Sequence, residues 1–553
     1  MKKKINVLLK NSFDKNLFLP EGTVIHDLLE YLHDKDSYIA ATVNNETTSL
    51  SYQLKVNSIV EFITNTCQSG MEVYRRSLSF LLEKVAFKLF PDRKLIIGHS
   101  LGPGYYFDLV GKKEVTEEEI KLIENEMKRE VEENKPINRE NINYQEALEH
   151  FKKTGRWDKY KLISGLNMSK LSIYRCEGFF QVFDLPLVNR TGVLNIFKLI
   201  YYPPGFILQF PKKSNPEKVS PFTEQKNIFM VYHEYKAWGK ILNVGNVGLL
   251  NEIISTNKIG DFIQVAEALH TRKVINLADE IYKKINNIKL ICIAGPSSSG
   301  KTTFSKRLAI QLNALGLKPL TISVDDYFID RDKTPLDEKG KPNYETIDAI
   351  NIDLFNEQLK DLLNGKEIRL PKYDFLTGRS TFSDKLLSIR EGEIILIEGI
   401  HCLNEKLTFT VPKENKYKIY ISVLTQMNID NTNRIPTTDN RIIRRMVRDH
   451  KYRGNSALKT LQTWPSVRKG EEEFIFPFQN DADGYFNSAL DYELALLKPY
   501  AESLLLQIKP FDKEYAEAVR LLRFLSYFLA IQSKFVPSTS LIREFIGGSF
   551  FSY

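Results

Sequence analysis

The chain has 553 residues, 42% of them apolar and 26% charged, with a net charge of +8. That length supports roughly two to four domains, each with its own core, and the composition excludes a disordered or fibrous chain. No apolar run reaches the ~20 residues that a membrane-spanning helix needs. Four scattered cysteines, Cys67, Cys176, Cys292 and Cys402, exclude a disulfide framework and point to a reducing, cytoplasmic setting. The opening "MKKKINVLLKNSFDKN" is basic but lacks the apolar stretch and small-residue cleavage site of a secretory signal. The mild positive charge suits a protein that handles anions better than a dedicated nucleic-acid binder.

In chain order, residues 1–64 read as a small mixed unit. "KINVLLK" and "IVEFIT" have strand composition, and "TVIHDLLEYL" has that of a short helix with Thr23 as N-cap. Residues 65–225 form a second region. Leu78, Leu81, Leu82, Val85 and Leu89 recur at helical spacing. A second helix is announced by a capping box at Thr116 and Glu119, with Ile120, Ile123, Met127 and Val131 on one face. The proline-rich stretch 203–222 reads as a loop or linker. Residues 226–288 connect, with a helical bridge in 249–287. From Lys289 to residue 553, strands, loops and helices alternate as in an α/β domain with a parallel sheet, closed by an apolar helical end. The fold class is thus multidomain, α+β followed by α/β.

The chemistry concentrates in "ICIAGPSSSGKTTFSKRLAIQL". Gly295, Gly300, Lys301 and Thr302 fit the phosphate-binding loop pattern, with an apolar strand before it and a helix after it. Glycines let backbone N–H groups converge on phosphate oxygens, and the helix N-terminus adds partial positive charge. Pro296, Ser297, Ser298, Ser299 and Thr303 complete the nucleotide-binding set. Lys301 is assigned to the β- and γ-phosphates of ATP and Thr302 to Mg²⁺. The next strand, "PLTISVDDYF", ends in Asp325 and Asp326 at the carboxyl edge of the sheet, where an acid can take a proton from an attacking hydroxyl. "EIILIEGI" ends in Glu398, placed as a carboxylate acting on Mg²⁺. Arg441, Arg444, Arg445, Arg448 and Arg453 then crowd one predicted helix, a pattern that can clamp phosphates.

In this order "GPSSSGKTTF", "SVDDYF", "NYETIDAIN", "LPKYDF", "IILIEGI" and "RRMVRD" resemble the uridine kinase and phosphoribulokinase family of P-loop kinases, over about residues 289–500. The resemblance implies transfer of the ATP γ-phosphate to a hydroxyl of a nucleoside or related small molecule. It implies Asp325 as catalytic base, Lys301, Glu398, Arg444, Arg448 and Arg453 as catalytic partners, and Asp325, Tyr327, Glu345 and Tyr373 around the acceptor. Two departures concern that acceptor. Glu345 stands where the family usually has Asp, and Gly378 stands where uridine kinases carry a His.

Residues 1–64 resemble a TGS domain of β-grasp type. "LLEKVAFKLFPDRKLIIGHSLGPGYYFDL" and "YRCEGFFQVFDLPLVNRTGVLNIFKL" resemble the editing domain of threonyl-tRNA synthetase. Aligned on "KLFP" and "NRTG", its four metal-binding positions hold Arg76, Phe80, Phe183 and Leu187. None of these can bind a metal, and His99 and Cys176 fall outside the pattern. The fusion resembles a group of bacterial nucleoside kinases. The first half is therefore expected to keep the fold without the editing chemistry, and to contact a tRNA or RNA end, a small regulator, or the kinase domain. No membrane partner is expected, and a homo-oligomer is left open. The competing reading is a nucleotide- or tRNA-binding regulator that uses ATP as a switch.

Overall fold

The structure is a computed structural model that describes residues 3–10, 14–32, 37–182, 185–338, 340–390 and 392–552. No helix among them is long and apolar enough to cross a membrane.

The first unit is a five-stranded sheet in the order Lys15–Pro20, Lys4–Leu9, Ser58–Thr64, Tyr38–Val43, Glu46–Thr48. Its central pair, Lys4–Leu9 and Ser58–Thr64, runs parallel. Alternate residues Ile5, Val7 and Leu9 face a core completed by Ile25, Leu28 and Val60, the period of two expected of a half-buried strand. The short helix is a 3₁₀ turn, Ile25–Tyr31, and its N-cap position is Val24. Thr23 instead donates its hydroxyl to the Pro20 carbonyl.

The second unit is built on the helix Gln68–Leu89, where Leu78, Leu81, Leu82 and Val85 are buried as their spacing predicts. It packs on a four-stranded sheet ordered Lys198–Tyr202, Gly205–Gln209, Gly104–Val110, Lys94–Ser100. The helix Glu117–Glu132 starts in the predicted capping box of Thr116 and Glu119. The stretch 203–222 is not all linker, because Gly205–Gln209 is a buried strand and the long loop begins only beyond it. The bridge consists of helices Lys226–Leu242, Val247–Ser255 and Ile259–Lys283.

The last unit holds a parallel five-stranded sheet ordered Pro319–Ser323, Ile394–Glu398, Leu290–Ala294, Lys416–Ser422, Gly484–Asn487. Its strands are near-continuous apolar runs because helices cover both faces. The helix near the end spans Tyr515–Ser526 and stops there, short of the apolar run "YFLAIQ". The rest still packs back: Leu541, Phe545 and Ile546 join one core with Phe304 and Ile443 of the last unit, Val247 and Phe262 of the bridge, and Leu162 of the second unit.

A hairpin from the last unit, Asn428–Asp430 with Asn433–Arg434, plugs into the second unit. Asn428 donates to the Ile97 carbonyl at 2.7 Å, and the Ile97 N–H donates to the Asn431 carbonyl at 2.7 Å. Behind it Glu83 accepts from Arg156, Gln181 and Thr432, and Lys159 pairs with Asp430 at 3.1 Å. Buried charges of this kind persist only when paired and hydrogen-bonded.

Candidate active site

The phosphate loop lies between the strand Leu290–Ala294 and the helix Lys301–Ala314. Gly300 has φ +81, a conformation that glycine adopts without strain, and a Cβ there would meet Leu541 at 2.4 Å. Pro296, Ser297, Ser298, Lys301 and Thr302 line a cleft of ≈ 3710 Å³. Gly295 is pressed against the Ile421 carbonyl, 2.4 Å from where a Cβ would sit. Ser299 is buried beneath the loop. Lys301 Nζ donates to the Pro296 carbonyl at 3.4 Å. Thr303 has a partner no local pattern announces: its N–H and hydroxyl both donate to Glu544 near the chain's end, at 3.2 and 2.6 Å.

Glu398 closes its strand beside both neighbours, paired in register with Ile293 and Ser323. Its carboxylate accepts from the Thr302 hydroxyl at 3.0 Å and the Ser323 hydroxyl at 3.4 Å. Burial first, then the charge of Asp325, push its carboxyl up to about 7. A buried carboxylate with a raised pKa beside a hydroxyl is an oxygen donor set that fits a hard divalent cation, whose charge would offset both effects. The sequence assigned Thr302 and Glu398 to that ion. Asp325 follows the strand Pro319–Ser323 on a short 3₁₀ turn, Val324–Tyr327, and lines the same cleft. Its charge also bears on Glu345 and Arg453, which places it in the middle of the site. Asp326 is held instead by the Tyr373 backbone, its carboxyl raised by burial to about 6.

The arginines divide between the two faces of the helix Thr437–Arg453. Arg441 and Arg444 point inward and are buried. Arg441 pairs with Glu471 and donates to the Ser297 carbonyl at 3.0 Å; Arg444 pairs with Glu493, donates to the Ser488 carbonyl at 2.8 Å and reaches the Ser298 carbonyl at 3.4 Å. Arg444 thus braces the loop from behind, which corrects its assignment as a catalytic arginine. Arg445, Arg448 and Arg453 line the cleft around one buried acid, Asp449. Burial raises the Asp449 carboxyl, but the three guanidiniums outweigh it and hold it below the ordinary carboxylate range. Arg445 also donates to the Ser297 hydroxyl at 2.8 Å. Arg453 lies over the Phe375 ring at 4.5 Å, and burial followed by repulsion from Arg448 lowers its pKa to about 10.

An aromatic wall lines the same cleft. Phe328 lies 5.6 Å from Tyr373 and 5.8 Å from Tyr344, and Tyr373 lies 5.1 Å from Phe375. Glu345 faces the same cleft; burial raises its carboxyl against the pull of Arg445 and Lys301. Gly470 packs so closely on Glu345 that a Cβ would lie 2.2 Å from it. Tyr327 is not part of the wall. It is buried on Phe355 and donates its hydroxyl to Gln358 at 2.7 Å, which corrects its assignment to the acceptor. Gly378 has φ +74, and a Cβ there would meet the Arg331 guanidinium at 2.6 Å. Arg331 itself bridges the Tyr344 hydroxyl and the Phe375 carbonyl. The space beside Gly378 is therefore filled by an arginine from another segment.

In the second unit, Phe80 and Leu187 are core residues, with Phe80 edge-on to Phe179 at 5.5 Å. Arg76 donates to the Pro186 carbonyl at 2.8 Å, and Phe183 lies outside the described residues. No group of three or more His, Cys, Asp or Glu among the described residues could hold a metal ion.

Asp449, Glu471 and Glu544 were not singled out as site residues from the sequence. Asp449, four residues from both Arg445 and Arg453, is the one whose spacing could have revealed it.

A model of the phosphoribulokinase / uridine kinase family matches residues 290–495. A uridine kinase of Staphylococcus aureus is 33% identical over 195 residues, which is 35% of this chain and 84% of that protein. A threonine–tRNA ligase of Desulforamulus reducens is 35% identical over 163 residues, 29% of this chain but only 26% of the ligase. A solved structure described as a possible uridine kinase from Bacillus stearothermophilus is 19% identical, covering 38% of this chain and 100% of that one. Its TM-score of 0.23 is too low to bear on the site.

Proposed function

The chain belongs to the phosphoribulokinase / uridine kinase family, and on that premise we propose that it is an ATP-dependent kinase whose acceptor is a hydroxyl of a nucleoside or a close relative. The observation that carries the reading is the convergence of Lys301, Asp325 and Glu398 with Arg445, Arg448 and Arg453 on one cleft, which an aromatic wall also lines.

In the reaction, the acceptor O–H bond breaks as its oxygen bonds to the terminal phosphorus of ATP. The bond from that phosphorus to the β-phosphate oxygen breaks, and ADP leaves. Asp325 accepts the hydroxyl proton. Lys301 and the loop N–H groups hold the phosphates, and the arginines around Asp449 offset the charge that spreads over the transferring group. Thr302 and Glu398 would hold Mg²⁺, which supplies further charge neutralisation when bound. The wall of Phe328, Tyr344, Tyr373 and Phe375 receives a flat ring, and Glu345 accepts from hydroxyls of the acceptor. Arg331, in place of a histidine, offers a fixed cation at the edge of that ring.

The test is a panel of uridine, cytidine, adenosine and sugar acceptors with ATP and Mg²⁺, read as phosphorylated product by mass spectrometry. At least one nucleoside should be converted. No product from any acceptor overturns the kinase reading, and product from sugars alone overturns the nucleoside assignment.

A further inference from the structure

The cleft does not end at the kinase site. It runs on to the second unit, where Arg75, Arg76, His99 and Tyr105 line it, and it is bounded there by Arg434 of the docked hairpin. These residues form one connected cluster. Arg75 lies over the Phe210 ring at 4.5 Å, Phe210 packs edge-on to Tyr105 at 4.7 Å, and Arg434 covers Tyr105 at 5.0 Å. His99 is close enough to Arg434 to feel its charge; burial first, then that charge, lower its pKa to about 3, so it stays neutral.

Three arginines thus line this stretch of the cleft, and none forms an ion pair within 4 Å with a described residue. The Nε of Arg75 and the Nδ1 of His99 are buried with no hydrogen-bond partner. Burial lowers the Arg76 pKa, and neighbouring Arg520 lowers it further against the attraction of Glu72. The buried arginines Arg441, Arg444 and Arg520, by contrast, each have a carboxylate in contact. A guanidinium held in a partly buried wall with no carboxylate in contact carries a desolvation cost, and a bound anion offsets it. Guanidiniums match phosphate oxygens in pairs, and their planar faces stack on flat rings.

We propose that Arg75, Arg76 and Arg434, set on the aromatic pair Phe210–Tyr105, form a second anion site that takes a nucleotide, phosphate group to the arginines and base against the guanidinium planes and the half-buried Tyr105. It is distinct from the phosphate loop. It straddles two units, since Arg434 comes from the hairpin and lies three residues before the helix that carries the cleft arginines.

The test uses the full chain with Lys301→Ala, which disables the phosphate loop and makes binding here independent of turnover. Uridine monophosphate, adenosine monophosphate and inorganic phosphate are titrated by calorimetry. At least one nucleotide should bind, more tightly than phosphate alone. Adding Arg75→Gln or Arg434→Gln should weaken binding about tenfold or more, as expected for loss of a charge-assisted hydrogen-bonded pair. Arg75→Lys and Arg434→Lys keep the charge and should recover part of the loss, which separates a binding role from a folding one. Thermal unfolding confirms that each variant is folded. Absence of binding in Lys301→Ala, or equal binding in the glutamine variants, overturns the site. The result does not depend on whether the kinase reading holds.

Discussion

Two helices present arginines to the same cleft, and they do so differently. On Thr437–Arg453 the arginines are organised: Arg441 and Arg444 face carboxylates in the core, and Arg445, Arg448 and Arg453 share Asp449. On Gln68–Leu89, Arg75 and Arg76 have aromatic and carbonyl partners but no described acid within 4 Å. A guanidinium fixed by an acid keeps its geometry whether or not substrate is present, which suits stabilisation of a transition state. A guanidinium without one gains most from a ligand that brings the missing charge. The contrast is the basis for the proposed division, with chemistry on the first helix and binding on the second.

The largest effect that could break this contrast is at Lys301. Lys301→Ala should take ADP release below detection in a coupled assay, while nucleotide binding at Arg75 and Arg434 persists; measurable turnover would remove the loop from the chemistry. Asp325→Asn comes next. Loss of a general base lowers kcat by about 10²–10⁴-fold, with little change in the KM for ATP. A variant with normal kcat would shift the base to another group.

Stability sharpens the comparison on a different scale. Arg444→Ala leaves Glu493 buried and unpaired, which should cost about 3–5 kcal/mol in urea unfolding. Arg75→Ala removes a stacked but unpaired cation and should cost at most about 1 kcal/mol. Equal losses would mean that the two helices hold their arginines alike. The smallest effect is a pH limb. Glu398 has its carboxyl raised to about 7, so in the free enzyme it is protonated below that pH and ionised above it. The ionised form is the one that holds a cation, so kcat/KM for ATP–Mg²⁺ should fall as pH drops through about 7, and Glu398→Gln should abolish the limb.

Much of the kinase half was readable because its chemistry lies within local patterns. A loop between strand and helix places Lys301 and Thr302, and an apolar strand ending in one acid places Glu398. The unreadable part depends on partners far along the chain. Arg444 and Arg448 sit on one helix and look equivalent in sequence. Glu493, 49 residues on, takes Arg444 into the core, while Arg448 reaches its own neighbour Asp449 and stays in the cleft. Tyr327 lies two positions after Asp325, yet the turn at Val324–Tyr327 aims it at Gln358. The strand within 203–222 was missed for another reason: packing in a sheet overrode weak local propensity.

The contact between Thr303 and Glu544 also has a consequence in time. The two residues are 241 positions apart. At a synthesis rate of about 5–20 residues per second, the loop leaves the ribosome roughly 12–48 s before its carboxylate partner is made. Until then the N-terminus of the loop helix has open donors, and Gly300 lacks the leucine that packs against it. The nascent kinase domain therefore passes through an interval in which its nucleotide loop lacks these contacts, and a chaperone or a bound nucleotide would have most to contribute.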